Sequence, residues 1–149
     1  METIVVGVDG SDCGRAALEF AADEAALRGA RLRIVSVWHV PTTAYGGGFA
    51  LVVDTSAFES FRERTQGIVD EAVAAVKQAQ PAVECEGKAV EGQPAATLLE
   101  EAADASLIVV GNRGLGGFAS LLVGSVSQQV VHHASCPVVV VREKHEQNR

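Results

Sequence analysis

Residues 107–126 read LIVVGNRGLGGFASLLVGSV, an apolar run that ends in a glycine-rich loop and then in the start of a helix. Short apolar runs bounded by glycine are typical of buried parallel strands. Glycines lack Cβ, so they let a loop bring its backbone N–H groups within bonding distance of an anion. The glycines here follow the spacing Gly111-x2-Gly114-x9-Gly124, with Ser125 directly after. The stretch therefore predicts a strand, a phosphate-binding turn and a helix of an α/β protein.

The helix after the loop offers a second group of anion-binding N–H donors. Ser125-Val126-Ser127-Gln128 has the Ser-x-x-Gln form of a capping box. A helix N-terminus there would add its unpaired N–H groups and the positive end of its dipole to the loop. The alternative is structural, because glycine loops after strands are common in α/β proteins and Ser125 can be a simple N-cap.

Two better-known phosphate motifs fit this loop poorly. The chain has no Gly-x-x-x-x-Gly-Lys-Ser/Thr sequence, so the loop is not a Walker A P-loop. Residues 114–119, GLGGFA, match the looser Gly-x-Gly-x-x-Gly/Ala pattern of dinucleotide-binding folds. However, no acidic residue ends a strand about 20 positions later, where the ribose contact belongs.

Composition places the chain among single globular domains. Hydrophobic residues make up 48% of its 149 residues and charged residues 21%. No apolar run approaches the ~18 residues of a membrane span, and the first residues do not resemble a secretory signal, so we expect a cytoplasmic protein without membrane association. The net charge of −7 argues against nucleic-acid binding, which requires clustered Lys and Arg.

Cysteines and histidines give no sign of a metal centre or a disulfide framework. Cys13, Cys85 and Cys136 are odd in number and far apart in sequence, which predicts reduced thiols in or near the core. His132 and His133 are adjacent on a predicted helix, so they point to different faces. We therefore expect no histidine metal site.

The periodicity of the whole chain predicts five strands alternating with four helices. The predicted strands cover residues 3–8, 31–40, 83–90, 107–110 and the run after Pro137; the predicted helices cover 13–28, 56–80, a segment from Pro94, and 125–133. Apolar residues at helical spacing are assigned to the core, among them Phe58, Phe61, Thr65 and Ile68 in the second helix and Val126, Val130 and Ala134 in the fourth.

The glycine spacing, the opening IVVGVDGS (4–11) and the closing CPVVVV (136–141) together resemble the universal stress protein family, specifically its ATP-binding branch. The resemblance covers nearly the whole chain. It implies an α/β fold with a doubly wound five-stranded parallel sheet in the flavodoxin-like order 3-2-1-4-5 and four helices. It also implies a single nucleotide-binding domain over residues 1–142, followed by a polar tail at 143–149.

Asp9 follows the first predicted strand directly. In open α/β sheets ligands bind beyond the carboxyl ends of the strands, so Asp9 could meet a ribose hydroxyl or a phosphate-bound metal. The alternative is an aspartate in a tight turn before a helix. In the implied strand order, strands one and four are neighbours at the topological switch point. Asp9 and Gly111, 102 residues apart, would then face one crevice.

The resemblance implies ATP as the ligand, with Mg²⁺ on its phosphates and Asp9 as an indirect contact to the metal. Ser125 and the helix N-terminus would hold the β and γ phosphates, and Val37 would contact adenine. Arg113 would pair with a phosphate oxygen, or else is an ordinary surface arginine. Gly7 would let the ligand approach the first strand. The remaining expected contacts are Val8, Val110, Val126 and the glycines of the loop: Gly111, Gly114, Gly116, Gly117 and Gly124.

The predicted function is that of a dimeric stress-response sensor or regulator that binds ATP and hydrolyses it slowly or not at all. The alternatives are a weak ATP hydrolase, and an interaction module that uses the same fold without a nucleotide. By resemblance the dimer would form through the strand at 138–141, an apolar edge with little charge to protect it. The glycine-rich segment 42–54 is a candidate lid or a disordered loop. The stress signal and the downstream protein partner are not encoded in any motif.

Overall fold

The computed structural model describes residues 1–39, 55–113 and 124–143. The predictions for the 42–54 segment, for Gly114, Gly116 and Gly117, and for nearly all of the polar tail lie outside these residues. The elements are β1 (Thr3–Gly7), α1 (Asp12–Arg28), β2 (Arg31–Trp38), α2 (Thr55–Ala79), β3 (Cys85–Glu91), α3 (Pro94–Glu101), β4 (Leu107–Gly111), α4 (Ser125–His133) and β5 (Val138–Val141).

The five strands form one parallel sheet in the order β3-β2-β1-β4-β5, which confirms the predicted topology. The central strand β1 pairs with β2 on one side, from Thr3 with Arg31 to Gly7 with Val35, and with β4 on the other. From β1 the sheet extends in one direction through β2 and β3 and in the other through β4 and β5, so the winding of the chain reverses between β1 and β4. In doubly wound folds this switch point opens a crevice at the carboxyl ends of the strands.

The side chains of the strands alternate between two hydrophobic cores, one on each face of the sheet. Even-numbered positions of β1 and β2, such as Ile4 and Ile34, pack with α1 and α2. Odd-numbered positions, such as Val5 and Val35, pack on the opposite face in the cluster that contains Leu98 of α3 and Val130 of α4. Both faces of the central strands β1 and β4 are covered, which is why these two strands read as nearly continuous apolar runs.

Helix α4 begins differently from the sequence prediction. Its N-cap is Gly124, and no side chain caps it, so the capping box predicted for Ser125 and Gln128 is wrong. The predicted burial of Val126 is also wrong, because this side chain is 37% exposed. Ser127 turns inward instead, 4% exposed, and its hydroxyl donates to the Gly111 carbonyl oxygen at 2.5 Å. That hydrogen bond sets the rotation of the first helical turn.

The other differences are confined to element ends. Strand β2 ends at Trp38 rather than at residue 40, and α2 begins at Thr55, one residue before its predicted start. The three cysteines are free thiols and partly buried, as expected. None of the helices in the described part of the chain is both long and apolar enough to cross a membrane.

Candidate functional site

A cavity of about 530 Å³ opens at the carboxyl ends of β1, β2 and β4, at the switch point of the sheet. It brings together the sequence-predicted site residues that the structure describes: Gly7, Val8, Asp9, Val37, Val110, Gly111, Arg113, Gly124, Ser125 and Val126 all line it. Asp9 and Gly111 therefore face one crevice, as the predicted strand order requires. Whether these residues contact a ligand stays a prediction.

Asp9 has a structural role in the turn between β1 and α1. Its Oδ1 atom accepts hydrogen bonds from the Ser11 backbone N–H at 2.9 Å and from the Ser11 hydroxyl at 2.5 Å. The Ser11 hydroxyl oxygen in turn accepts from the Gly14 N–H at 3.1 Å, and so caps α1. The tight turn that the sequence allowed as an alternative is therefore present. Asp9 also lines the cavity, so the turn fixes a carboxylate at its wall.

Gly111 is required by close packing. A Cβ at this position would lie 2.9 Å from the backbone carbon, the carbonyl oxygen and the Cβ of Cys13 in α1. Its φ is not positive; the glycines with positive φ in the described chain are Gly10, Gly29 and Gly92. Gly111 thus lets the first turn of α1 approach the end of β4, which draws two walls of the cavity together.

The two ends of the glycine-rich loop are fastened to each other. The Gly124 N–H donates to the Asn112 carbonyl oxygen at 2.6 Å, beside the Ser127 bond to Gly111. The Asn112 N–H donates to the Val141 carbonyl oxygen of β5, and its side-chain oxygen accepts from the Cys13 thiol. These bonds hold the loop ends at a fixed position between α1 and β5.

The N-terminus of α4 presents backbone donors to the cavity. The first intrahelical hydrogen bond runs from the Gln128 N–H to the Gly124 carbonyl oxygen, so the N–H groups of residues 125–127 precede it. Such groups have no partner within their own helix. Ser125, Val126 and Ser127 all line the cavity, and the first turn of α4 contains no acidic residue. The arrangement suits an anion.

The end of β2 presents a peptide edge to the same cavity. The β1–β2 ladder stops at the pair Gly7 and Val35, whereas the β2–β3 ladder continues to Trp38 and Glu91. Peptide groups alternate sides along a strand, and the Val35 carbonyl oxygen points toward β1, where it accepts from the Val8 N–H. The N–H and C=O of Val37 therefore also point toward the side of β1, at a position beyond the last residue pair of the β1–β2 ladder. Val37 lines the cavity there.

Helix α2 forms a wall of the cavity that the sequence analysis missed. Phe61, Thr65 and Ile68, which we assigned to the core, line the cavity together with Arg64. These residues precede Val69, Ala72 and Val76, which are buried in the core, so the earlier turns of α2 face the cavity and the later turns face the sheet. Trp38 completes this wall and packs edge-on against Phe58, with ring centroids 6.2 Å apart. Helical periodicity marks such residues as inward-facing but does not distinguish a core from a cavity.

The clearest ionic network lies outside the cavity, on the face of the sheet that packs against α3. The Arg33 guanidinium donates to Asp104 at 2.8 Å, to Glu86 at 2.7 Å and to the carbonyl oxygen of Glu101 at the end of α3. These bonds lower the pKa of Asp104 and of Glu86, and raise the pKa of Arg33. Burial raises the pKa of the Cys85 and Cys136 thiols. The network ties β2 to β3 and α3.

Metal-binding side chains do not cluster in the part of the chain that the structure describes. No group of three or more His, Cys, Asp or Glu residues lies close enough there to hold an ion. Asp9 is the one carboxylate among the described residues that line the cavity. A divalent ion at this site would therefore take most of its ligands from a bound phosphate chain and from water.

Comparisons with known proteins agree with this fold. The model of the Universal stress protein family matches residues 1–142. A universal stress protein of Mycolicibacterium smegmatis is 36% identical over 141 residues, which is 95% of this chain and 46% of that protein. Universal stress protein Rv2623 of Mycobacterium tuberculosis is 36% identical over 94% of this chain and 45% of its own length. The chain spans about half the length of the curated relatives that it matches.

Solved structures include relatives that cover both chains almost completely. A universal stress protein in complex with cAMP is 30% identical with a TM-score of 0.69, covering 96% of this chain and 98% of that one. The universal stress protein from Archaeoglobus fulgidus in complex with dAMP is 28% identical with a TM-score of 0.65, covering 94% and 97%. The sheet order, the cavity at the switch point and the family match over residues 1–142 lead to one conclusion: this chain belongs to the universal stress protein family.

Proposed function

We propose that this chain binds ATP in the switch-point cavity, with Mg²⁺ on the phosphates, and acts as a dimeric cytoplasmic sensor or regulator of the stress response. The proposal rests on one observation: the two ends of the same cavity suit the two ends of a nucleotide. The uncapped N-terminus of α4 suits phosphate, and the open peptide edge at Val37 suits a nucleobase. The solved relatives in complex with cAMP and dAMP support an adenine nucleotide.

The phosphate end would use backbone donors and one cation. The N–H groups of residues 125–127 supply hydrogen bonds, and the positive end of the α4 dipole favours negative charge. Arg113 lines this end and would pair with a phosphate oxygen. Gly114, Gly116 and Gly117 complete the proposed cradle. The net charge of −7 is no obstacle, because these donors act locally on the bound anion.

The base end would use the Val37 peptide to select adenine. A peptide N–H can donate to the N1 atom of adenine while its C=O accepts from the 6-amino group. Guanine presents the reverse pattern at these positions, a donor at N1 and an acceptor at O6. Strands β2 and β4 are two strand spacings apart, about 9.5 Å, so a nucleotide can reach from Val37 to α4 across the end of β1. Asp9 and Gly7 then lie beside its ribose.

The proposal includes Mg²⁺ with an indirect role for Asp9. The Oδ1 atom of Asp9 is engaged by Ser11, so the carboxylate is better placed to accept from a metal-bound water or a ribose hydroxyl than to surround an ion. When bound, Mg²⁺ would offset the charge of the phosphates. The cavity residues of this chain would orient the nucleotide and limit the access of water.

We further propose that hydrolysis is slow or absent. Fast phosphoryl transfer requires a group that positions the attacking water and cations that offset the developing charge. Among the described residues that line the cavity, Asp9 is hydrogen-bonded to Ser11 within its turn. His39 follows the end of β2, and β2 lies two strands away from β4, the strand that precedes α4. A binding protein fits this set of residues better than a hydrolase.

The proposed dimer would form along β5. This edge strand pairs with β4 on one side, and its four valines are only partly buried. The carbonyl oxygens of Pro137 and Val141 point to β4, so the peptide groups of Val138 and Val140 point to the open edge. Light scattering should show a dimer for the wild type. Val140→Pro, which removes an outward N–H without breaking the β4 ladder, should give a monomer. A monomeric wild type at micromolar concentration would refute the dimer.

The nucleotide is tested by denaturing freshly purified protein and identifying released compounds by mass and stoichiometry. We expect ATP near one per chain, absent after Gly114→Phe and retained in the control Gly67→Ala, whose added methyl group meets no atom within 4 Å apart from the adjoining backbone of its own helix. The second candidate is a nucleoside monophosphate, because the two solved relatives hold cAMP and dAMP. Calorimetric titration with ATP, AMP and cAMP separates these ligands. Equal affinity for all three would exclude a role for the β and γ phosphates.

A further inference from the structure

Asn112 lies at the base of the glycine-rich loop, where four elements of the fold meet. It follows β4 directly and is only 6% exposed. Its side-chain oxygen accepts from the Cys13 thiol of α1 at 3.3 Å. Its N–H donates to the Val141 carbonyl oxygen of β5 at 2.8 Å, and its carbonyl oxygen accepts from the N–H of Gly124, where α4 begins. Asn112 therefore connects β4 with β5, α1 and α4 at one point.

Both groups that would hold the phosphates are attached to Asn112. Arg113, which lines the cavity, is the next residue along the chain. Gly124, the N-cap of α4, packs against the same stretch of backbone. A Cβ on Gly124 would lie 3.2 Å from the Asn112 carbonyl oxygen and 3.5 Å from the Cα of Arg113. The position of Asn112 thus sets the spacing between Arg113 and the backbone donors of residues 125–127.

The Asn112 side chain acts on this spacing and not on a ligand. Asn112 is not among the residues that line the cavity, and its side-chain oxygen is bonded to α1. Burial of an amide costs free energy that its hydrogen bonds must offset, so the amide favours the one placement in which they form. An apolar side chain would leave the two backbone hydrogen bonds of residue 112 intact but would no longer tie them to α1.

We propose that Asn112 is a positioning residue for the phosphate end of the cavity, holding Arg113 and the first turn of α4 at the spacing that a polyphosphate requires. The inference rests on the proposed function. The α1 side of this arrangement is closely packed, because Gly111 lies against Cys13 without room for a Cβ. The Ser127 hydroxyl, which donates to the Gly111 carbonyl oxygen, fastens α4 to the same turn. Asn112 completes this frame between the two helices.

The test compares Asn112→Ala with the wild type by calorimetric titration with ATP and with AMP. The variant should bind ATP about three- to tenfold more weakly, the usual effect of one hydrogen bond. The affinity for AMP should change less, because AMP lacks the β and γ phosphates that the first turn of α4 would hold. A merely structural role would lower the melting temperature without separating the two ligands.

Cys13 provides a second pair of variants that removes less of the structure. Cys13→Ala deletes the thiol donor and keeps the Cβ that packs against Gly111, so it should show the same selective loss for ATP at a smaller size. Cys13→Ser retains a donor and should bind ATP more tightly than Cys13→Ala. This pair decides the question even where Asn112→Ala does not fold.

A matched control uses a polar side chain that holds backbone far from the cavity. The Ser106 hydroxyl donates to the Thr3 carbonyl oxygen at the amino end of the sheet. Ser106→Ala should lower the melting temperature and leave the affinities for ATP and for AMP unchanged. The contrast with Asn112→Ala separates an effect on the phosphate end from a general loss of stability.

Each outcome decides the question. If the wild type binds neither nucleotide, the proposed function fails and this inference fails with it. If the wild type binds ATP and Asn112→Ala binds it equally well, the proposed function stands and the role of Asn112 is wrong. Losses of equal size for ATP and AMP also overturn the role, because Asn112 would then not act on the part of the site that holds the β and γ phosphates.

Discussion

Replacing Gly111 by alanine should destabilise the protein by about 1–3 kcal/mol, the usual cost of overpacking a dense site. The added Cβ would lie 2.9 Å from three atoms of Cys13, two of them backbone. Ordinary contacts of a Cβ begin near 3.4 Å, so α1 must move away from β4 by about half an ångström. The helix cannot adapt by rotating a side chain. The strain should therefore appear in full in the free energy of unfolding.

The control for this experiment is Gly67→Ala in the middle of α2. The chemical change is the same, but the new methyl group meets no atom within 4 Å apart from the adjoining backbone of its own helix, and φ is not positive. Alanine is favoured over glycine in a helix interior by about 0.8–1 kcal/mol, so this variant should be more stable than the wild type. Urea denaturation followed by circular dichroism measures both changes.

The two substitutions should change the free energy of unfolding in opposite directions, which makes the comparison a strict test. Since about 1 kcal/mol shifts the melting temperature of a domain of this size by roughly 2–4 °C, the variants should differ by several degrees. Gly111→Ala should also bind ATP more weakly, because its strain displaces the Ser127 contact at the loop base. A Gly111→Ala protein as stable as the wild type would refute the close approach of α1 to β4.

Two further predictions concern charged groups. Arg64→Ala should weaken ATP binding about two- to fivefold because Arg64 lines the cavity, and the loss should be smaller at high salt, which screens charges. The control is Arg62→Ala, which makes the same change in charge at a residue that does not line the cavity. This control should bind ATP as the wild type does. Arg33 lowers the pKa of Glu86 and Asp104 in the folded state, so their contribution to stability is complete above about pH 5 and is lost as the pH falls through the lowered pKa values. With falling pH, the free energy of unfolding should therefore decrease more steeply for the wild type than for Arg33→Met. Identical acid unfolding curves would contradict the effect of Arg33 on these two carboxyl groups.

Much of the fold could be predicted because its signals are local. Strands β1 and β4 are short apolar runs that end in glycine, and Pro94 and Gly29 mark helix ends where the structure has them. The strand order came from the family resemblance and is confirmed. Element ends were less predictable. Ser125 has the residue type of an N-cap, yet the cap is Gly124, because its N–H is held by Asn112 and fixes where the helix starts.

The candidate site could be predicted only where it lies on the strands and their loops. The carboxyl ends of parallel strands face the crevice whatever their side chains are, so the places of Asp9 and Gly111 could be predicted from the sequence, whereas Val37 was assigned by the family resemblance. The α2 wall was missed, because Phe61 and Ile68 follow the same helical period as core residues.

The two helices that start at the switch point differ in a way that would set the direction of the proposed nucleotide. Both have the positive end of a dipole at the cavity edge. Helix α1 is already capped by Ser11 and carries Asp12 in its first turn, with Asp9 immediately before it. A phosphate there would meet two carboxylates and a donor that is already bonded. Helix α4 starts at a glycine with no acidic residue in its first turn. In the proposed complex, phosphates would therefore be drawn to α4 and repelled from α1, and the base would lie over the end of β2, beside Val37.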